Sequence, residues 1–404
     1  MDALFNSSSP LQNLSEVAKS RSLKQSKKRN NTKIKIEEEE TECYNSLMTI
    51  KRNQGIITPL IEISIEEFLH NRTYIFGRLL STDVSQDNID CITLNRDSNQ
   101  LIINKEIIGD KNITINKYIG SGSYGIVFNN DDGDTRYAIK FIKHSNNNFK
   151  EIEITKQISI NNYSSQIPNF IYTAYYKLNC NKIEIKGEIE GEIKKTLNQC
   201  LSIQNENGTY SMIVFEYLDG TINEIIRPKI CNIKIEEDDE NIEIFKSIYS
   251  QAILALFIFH NKFKYYHNDA HSNNFFFKKI IKNNKYFHYK INDNNFYVKN
   301  VGYLVVLADY GLAEPINMDD EYNKKIFNDY NKILSDIHSL CLFKYKKYYE
   351  TKKSIIFNLM KLINKISLIN ELDFIKEILT NFYDIHKIPE ASEIINSNPY
   401  TCNY

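Results

Sequence analysis

The amino-acid sequence predicts an α+β fold with two lobes, a small and mostly antiparallel β lobe that contains one helix and a larger α-helical lobe. Two patterns lead to this prediction. Short β-rich stretches separated by turn residues follow one another between residues 111 and 217. From residue 244 onward, apolar side chains recur every three or four residues, which is typical of buried helices. We expect the two lobes to enclose a cleft.

The composition excludes several classes of protein. Lys and Arg number 50 against 51 Asp and Glu, a formal net charge of -1, so we expect no specific nucleic-acid partner. The longest apolar run, Ala252 to Phe259, is far shorter than the roughly 20 residues that cross a bilayer, so no membrane span is expected. The 7 Cys residues form no CxxC pair, which favours reduced thiols over disulfides or a zinc site. The start of the sequence resembles no secretory signal, so we expect an intracellular protein in the cytoplasm. The sequence predicts no particular oligomeric state.

We divide the chain into four segments. Residues 1–50 are poor in apolar side chains and are expected to form a disordered tail. Residues 51–110 are an N-terminal extension that packs on the next domain. Residues 111–218 form the small lobe, which carries a polar surface insertion at residues 179–207. Residues 219–404 form the larger lobe.

Within this frame the elements are predicted in order from hydrophobic periodicity. Strands are expected at Lys111 to Ile119, Ile126 to Phe128, Arg136 to Ile142, Phe170 to Leu178, Ser211 to Tyr217 and Tyr303 to Ala308. Helices are expected at Phe149 to Ile160, at Ile244 to His260 and over most of Tyr322 to Asn381.

A glycine loop, Gly120-Ser-Gly-Ser-Tyr-Gly125, links two of the predicted strands. Without a Cβ atom, its backbone can approach phosphate oxygens closely and offer them N–H groups. The same spacing occurs in dinucleotide-binding folds, but there the loop leads into a helix, whereas Ile126 to Phe128 begins a strand. The loop indicates either phosphate binding or an ordinary glycine-rich hairpin.

Lys140 ends the inward side of an alternating strand, where an ammonium group would meet phosphates held under the glycine loop. A lysine that is simply exposed is the alternative interpretation. Glu151 in the following helix can hold Lys140 in an ion pair. Glu153 serves as an internal comparison, because helical spacing alone does not separate the two glutamates.

The loop from His267 to Asn274 follows a buried helix and precedes a strand. Asp269 can accept a hydroxyl proton, and Asn274 can hold Mg²⁺ through its amide oxygen. Asp309 ends an apolar strand, where it can either bridge Mg²⁺ to phosphates or act as a turn residue. His267 and His271 also allow a different metal site, although no third ligand stands at a suitable spacing.

Taken in order, these residues resemble the signature set of the eukaryotic-like protein kinase superfamily. The set consists of a glycine loop, the Ala138-Ile-Lys140 strand, a helix C glutamate, the His-x-Asp-x-x-x-x-Asn loop and Asp309-Tyr-Gly311. The resemblance covers about residues 113–345 and is greatest to atypical kinases of the haspin or large-DNA-virus type. The bias towards Asn, Ile, Lys and Tyr favours the viral type. The resemblance implies the bilobal protein-kinase-like fold, with helix C in the small β lobe.

The resemblance also implies a role for each site residue. Asp269, Lys140 and Glu151 would be catalytic. Asn274 and Asp309 would bind Mg²⁺. ATP would be bound by Gly120, Ser121, Gly122, Ser123, Gly125, Val127, Ala138, Lys140, Glu216 and Leu218, the last two in the hinge that follows the gatekeeper Phe215.

Three features depart from the kinase pattern, whereas Asp336 agrees with it. Asn268 stands where most regulated kinases have Arg, so the usual clamp on an activation-loop phosphate is missing. His271 stands where serine/threonine kinases have a lysine that contacts the transferring phosphate. The stretch from Gly311 to Asp336 contains no Ala-Pro-Glu, so the usual peptide-docking platform is absent or rebuilt. Asp336 would begin helix F and brace the catalytic loop.

These features predict an ATP- and Mg²⁺-dependent phosphotransferase, a serine/threonine-protein kinase that transfers the γ-phosphate to protein hydroxyls. One alternative is a kinase for small alcohols such as choline or aminoglycosides, where similar loops occur. A second alternative is a pseudokinase scaffold that binds partners without chemistry. The sequence does not identify the protein substrate.

Overall fold

A computed structural model describes most of the second half of the chain and parts of the first half. The described residues are 62–72, 93–97, 100–108, 111–115, 117–122, 125–131, 136–143, 146–163, 167–180, 184–186, 210–230, 239–317, 322–342, 370–382, 388–396 and 398–402. The tail expected to be disordered, residues 1–50, lies outside them, as does Ser123 of the glycine loop.

Strands and helices together confirm the predicted α+β class, with small antiparallel sheets and a helical part. The strands are β1 (Thr93–Asp97), β2 (Gln100–Ile108), β3 (Lys111–Ile115), β4 (Lys117–Gly122), β5 (Gly125–Asp131), β6 (Arg136–Lys143), β7 (Thr173–Cys180), β8 (Glu184–Lys186), β9 (Tyr210–Glu216), β10 (Gly220–Thr221), β11 (Tyr265–Tyr266), β12 (Phe275–Lys279), β13 (Tyr286–Ile291), β14 (Asn294–Lys299), β15 (Tyr303–Leu307), β16 (Glu314–Pro315) and β17 (Tyr400–Cys402). The helices are α1 (residues 65–72), α2 (Asn146–Tyr163), α3 (Ile222–Ile230), α4 (Asp239–Ile258), α5 (Tyr322–Leu342) and α6 (Glu371–Phe382), with a π-helical turn at Phe259–Phe263 and a 3₁₀ turn at Ala391–Glu393. Among the described helices, none combines the length and the apolar side chains that crossing a bilayer requires.

The central sheet has five strands in the order β4-β5-β6-β9-β7, and neighbouring strands are antiparallel. Lys140 lies in the middle strand, opposite Val127 on one side and Ile213 on the other. Gly122 pairs with Gly125, so the glycine segment is a narrow hairpin tip with strand backbone on both sides. This hairpin lies directly beside the strand that carries Lys140.

The stretch predicted as one strand from Lys111 to Ile119 is two strands, because the chain changes sheets within it. β3 pairs with β2, whereas β4 pairs with β5 in the central sheet. The insertion at residues 179–207, expected to lie on the surface, also contains a strand. Its described part contains β8, which pairs in parallel with β1 of the N-terminal extension.

Helix α4 carries the core of the helical part. From Ile244 to Phe259 every side chain except that of Lys246 is buried. Gln251 Nε2 donates to the Tyr303 carbonyl over 3.0 Å, and Gln251 Oε1 accepts the Val305 N–H over 2.9 Å. These bonds attach the helix to β15, so the residues that follow the strand are held in a fixed position.

Helix α1 places Arg72 against Glu216, at the end of strand β9 of the central sheet. Arg72 Nε donates to Glu216 Oε2 over 2.9 Å, and Arg72 Nη2 donates to Glu216 Oε1 over 2.7 Å. The guanidinium also donates to the Phe170 carbonyl and lies 4.4 Å from the Phe68 ring centroid and 4.6 Å from that of Tyr172. Both charged side chains are at least 96% buried. The N-terminal extension is therefore joined to the end of β9 by a paired buried charge.

We expect Arg72→Ala to lower the free energy of unfolding by about 3–5 kcal/mol, because Glu216 would be left buried and unpaired. Lys282→Ala is the matched control, since Lys282 pairs with Glu240 on the exposed surface and its loss should cost less than about 1 kcal/mol. Urea unfolding of both variants measures the difference. Equal losses would show that the Arg72 pair contributes no more than a surface contact.

Candidate active site

Lys140, Glu151 and Asp309 form the centre of the site and come from three separate elements. Lys140 Nζ donates to Glu151 Oε1 over 2.8 Å and lies 3.5 Å from Asp309 Oδ1. The Lys140 and Glu151 side chains are 12% and 2% exposed, whereas that of Asp309 is 34% exposed. The cluster is therefore closed around the lysine and open at Asp309. Of the two glutamates weighed from the sequence, Glu151 and not Glu153 is the partner of Lys140.

The two carboxylates keep Lys140 charged. Burial by itself would lower the pKa of Lys140, but the nearby Asp309 and Glu151 outweigh burial and raise that pKa well above its ordinary value. At neutral pH the side chain is therefore an ammonium group. It can bind anionic oxygens, and it cannot act as a base.

Asp309 has an unusual backbone conformation that aims its carboxylate at Lys140. Its φ is 61°, in the left-handed region that costs a residue with a side chain about 1 kcal/mol or more. The next residue, Tyr310, is fully buried, stacks on Phe259 with 5.2 Å between ring centroids and donates its hydroxyl to the Leu307 carbonyl. The packing of Tyr310 therefore compensates for the strained conformation of Asp309.

Asp269 lies at the mouth of the site, within a set of donors. Its Oδ1 accepts a hydrogen bond from Lys332 Nζ over 3.0 Å, and its Oδ2 accepts one from Asn274 Nδ2 over 3.1 Å. His271 Nε2 lies 3.3 Å from the same Oδ2 atom. The hydrogen bond with His271, followed by that with Lys332, lowers the pKa of Asp269 well below its usual range. The carboxylate is therefore ionised and able to accept a hydrogen bond from a hydroxyl group.

Asn274 and Asp309 offer oxygen atoms that fit a hard divalent cation. Asn274 uses its Nδ2 group on the backbone and carboxylate oxygens of Asp269, which leaves its Oδ1 without a donor among the described residues. The Ala308 N–H donates to the Asn274 carbonyl over 3.1 Å, so the backbones next to the two side chains are joined. Oxygen ligands of this kind suit Mg²⁺.

The described part of the chain contains no cluster of three or more His, Cys, Asp or Glu that could hold a metal by itself. A cation between Asn274 and Asp309 would therefore need further oxygen ligands from phosphate and water. Both ring nitrogens of His267 have protein partners, the Ala308 carbonyl and the Asp269 N–H, which disfavours the separate metal site that His267 and His271 allowed from the sequence.

The loop from His267 to Asn274 is held by Asp329. Asp329 is fully buried on α5, and its Oδ2 accepts the His267 N–H over 2.7 Å. Asp336 lies on the same helix two turns further on, and its side chain is outside those described. The prediction that Asp336 braces the loop therefore stays a prediction.

His267 links this anchor to the strand that ends at Asp309. Burial lowers the pKa of His267, so the ring is neutral. Its Nε2 lies 3.1 Å from the Ala308 carbonyl and therefore carries the proton, while its Nδ1 accepts the Asp269 N–H over 3.3 Å. The His267 ring thus links the backbone of Asp269 to that of Ala308, the residue before Asp309.

Beneath the loop lies a second buried network, centred on His260. His260 Nδ1 is 2.7 Å from Glu371 Oε1, and His260 Nε2 is 3.1 Å from Asp329 Oδ2. Tyr330 donates its hydroxyl to Glu371 Oε1, and Asn261 donates to Glu371 Oε2. Burial would lower the pKa of His260, but Glu371 and Asp329 raise it to about 9. The protonated ring bridges helix α6 to the residue that holds the catalytic loop.

The residues predicted to form the hinge lie at the end of β9 and just after it. Phe215 is buried opposite Ala138, and the Glu216 N–H donates to the Tyr172 carbonyl over 3.1 Å. Leu218 follows the strand, and its N–H donates no bond to another described residue. The backbone at Leu218 is thus free to bind a ligand, whereas the Glu216 side chain is committed to the N-terminal extension.

Sequence reasoning did not identify Asp329, His260 or Lys332. His260 left a weak signal, since a titratable residue at the end of a mostly apolar buried helix calls for a buried partner. Asp329 and Lys332 lie 62 and 63 residues after their partners in the loop, and no local pattern links them.

Comparison with known proteins leaves the chain without an assigned family. No family model matches it, and no curated protein matches it. Among solved structures, it is similar to one described as the crystal structure of BubR1 kinase domain, with a TM-score of 0.42 and 13% identity over 80% of this chain and 100% of that chain. A likeness at this level assigns neither fold nor activity, which are argued from the residues of this chain.

We expect the stability of the protein to fall as the pH rises from 6.5 to about 9. The His260 pKa is higher in the folded chain than in the unfolded chain, so the stabilisation is complete below 6.5 and is lost as the folded-state pKa is passed. The loss is on the order of 3 kcal/mol. Urea unfolding at several pH values measures it, and His260→Gln should flatten the curve in this range. An unchanged slope in the variant would assign the pH dependence to other groups.

Proposed function

We propose that the protein is an ATP- and Mg²⁺-dependent phosphotransferase, a serine/threonine-protein kinase of the atypical haspin-like or large-DNA-virus type. The observation that carries the proposal is the contact of Lys140 with both Glu151 and Asp309, at 2.8 and 3.5 Å. These residues are separated by up to 169 positions in the sequence, and a buried ammonium between two carboxylates does not arise from local chain geometry. The arrangement matches the demands of phosphoryl transfer, in which catalysis consists mainly of positioning and charge stabilisation.

Each residue has a task that its surroundings support. The hairpin at Gly122 and Gly125 would lie over the phosphates and offer backbone N–H groups. Lys140 would bind phosphate oxygens, held in place by Glu151. Asn274 and Asp309 would hold Mg²⁺, which when bound neutralises charge on the phosphates.

Asp269 would orient the acceptor and take its proton. Its carboxylate is ionised and is contacted by the side chains of Asn274, Lys332 and His271. These contacts fix its orientation before any phosphoryl acceptor binds. In the proposed step the acceptor oxygen forms a bond to the γ-phosphorus, the bond from phosphorus to the β,γ-bridging oxygen breaks, and the hydroxyl proton moves to Asp269. ADP then leaves with the negative charge of the broken bond.

Protein hydroxyls are the proposed acceptors, and the supporting feature is the open side of the site. Asp269 is 28% exposed and Asp309 34% exposed, so the reacting end faces solvent while the Lys140 end is enclosed. A macromolecular acceptor can reach such a site without entering a cavity. Transfer to a small alcohol, or binding without transfer, would appear as a different outcome of the experiment that follows.

In the decisive test, the purified chain is incubated with γ-labelled ATP, Mg²⁺ and a panel of proteins and small alcohols, and the label on each acceptor is measured. We expect label on protein serine or threonine, and we expect Asp309→Asn to reduce transfer at least about 100-fold by removing a Mg²⁺ ligand. Label only on small alcohols would replace the acceptor class. No transfer by the parent chain to any acceptor would overturn the phosphotransferase proposal and favour a binding scaffold.

A matched pair of variants tests the role of Glu151. We expect Glu151→Gln to lower turnover by up to about 100-fold, because Lys140 would lose the partner that positions it. Glu153→Gln makes the same chemical change two residues away on α2, where no contact with Lys140 exists, and should leave turnover within about twofold. Steady-state rates at saturating ATP measure both. Similar losses in the two variants would reject the specific role of Glu151.

A further inference from the structure

The catalytic loop contains no lysine of its own near Asp269. The residue two positions after Asp269 is His271, whose side chain is 38% exposed and whose Nδ1 accepts the Asn273 N–H over 3.3 Å. Within the described residues, the one ammonium group that contacts Asp269 belongs to Lys332 on helix α5. A positive charge is thus present beside Asp269, although it comes from a distant part of the chain.

Lys332 reaches Asp269 from a firmly anchored backbone. It follows Asp329 by one helical turn, so the two side chains lie on the same face of α5. Asp329 is fully buried and bonded to the His267 N–H, and Ile333 and Leu334 are buried beside Lys332. The same helical turn therefore holds the catalytic loop and delivers the ammonium group to it.

The contacts of Lys332 leave capacity for a ligand. Its Nζ donates to Asp269 Oδ1 over 3.0 Å and to the Asn268 carbonyl. An ammonium group has three N–H donors, so one remains. The Lys332 side chain is 42% exposed, which places it at the open end of the site.

Without Lys332, the side chains around the transferring phosphoryl group would be cationic on the buried side of the site and anionic on the open side. Lys140 lies on the buried side, between Glu151 and Asp309. The open side carries the Asp269 carboxylate, which would repel the oxygens of a transferring phosphoryl group. Lys332 lies on this side, where its charge would offset that repulsion together with Mg²⁺ held by Asn274 and Asp309.

We propose that Lys332 is a catalytic residue, supplied by helix α5, that donates a hydrogen bond to the transferring phosphoryl group beside Asp269. This inference rests on the proposed function. Lys332 keeps its proton throughout, while the acceptor proton goes to Asp269 and the γ-phosphoryl group passes from ATP to the acceptor oxygen, with ADP as the leaving group. The contact is strongest when charge accumulates on the three equatorial oxygens, so it favours the transition state over bound ATP.

The test compares Lys332→Ala and Lys332→Arg with Lys325→Ala. Lys325 lies two turns earlier on α5, where it faces Glu314 at 3.6 Å and the Tyr266 ring at 5.3 Å, away from Asp269. We expect Lys332→Ala to lower kcat about 100-fold with little change in the KM for ATP. Lys332→Arg should restore part of the activity, and Lys325→Ala should behave as the parent chain.

A binding measurement separates a catalytic contact from a structural one. ADP with Mg²⁺ and fluoride forms a planar mimic of the transferring phosphoryl group, whereas ADP with Mg²⁺ alone does not. We expect Lys332→Ala to weaken binding of the fluoride complex about 100-fold and to leave ADP binding unchanged. Melting temperatures of the three variants serve as the check on folding.

Two results would overturn the assignment of Lys332. One is an active parent chain whose Lys332→Ala variant turns over equally fast or faster, which would make Lys332 a clamp that merely occupies Asp269. The other is equal binding of the fluoride complex by parent and variant. Failure of the proposed function is a separate result, because it appears as a parent chain that transfers no label to any acceptor.

Discussion

One buried ammonium group, Lys140, joins the β-rich part of the protein to its helical part. Glu151 on α2 and Asp309 after β15 both lie within 3.5 Å of it. Stability does not account for this cluster, because buried ion pairs often contribute no more than apolar side chains of equal volume. Glu151 Oε2 is moreover buried and accepts no hydrogen bond from any described residue, which costs about 1–3 kcal/mol. A cluster that is unfavourable for folding is best explained by a ligand whose charge it is built to receive.

A second set of hydrogen bonds fixes the other half of the site. Glu371, His260 and Asp329 form a buried chain that ends at the His267 N–H. His267 continues the chain to the Ala308 carbonyl, next to Asp309. Helix α6 is therefore connected to the site through side chains that have few alternative positions. Such preorganisation reduces the reorganisation required when charge moves during a reaction.

The site residues could be predicted from the sequence where their chemistry is local. Lys140, Asp269 and Asn274 stand in short motifs next to strong strand or helix patterns, and the structure brings them together with Asp309. Arg72 could not be predicted, since its partner Glu216 is 144 residues away. The strand β8 was missed for the same reason, because a short polar segment becomes a strand only through pairing with β1. Local patterns reveal which groups can react, whereas distant contacts determine which of them are held in place.

The surroundings of Asn268 show the same difference between local and distant contacts. Its φ is 61°, a left-handed conformation that asparagine tolerates better than most residues with a side chain. Its Nδ2 donates to the Leu312 carbonyl over 3.0 Å, and strand β16, just beyond, pairs with β11. The side-chain contact of Asn268 is neutral, whereas Glu314 of β16 faces Lys325 at 3.6 Å. An arginine at this position would bring a charge that needs an anion, whereas asparagine bonds directly to the backbone and needs none.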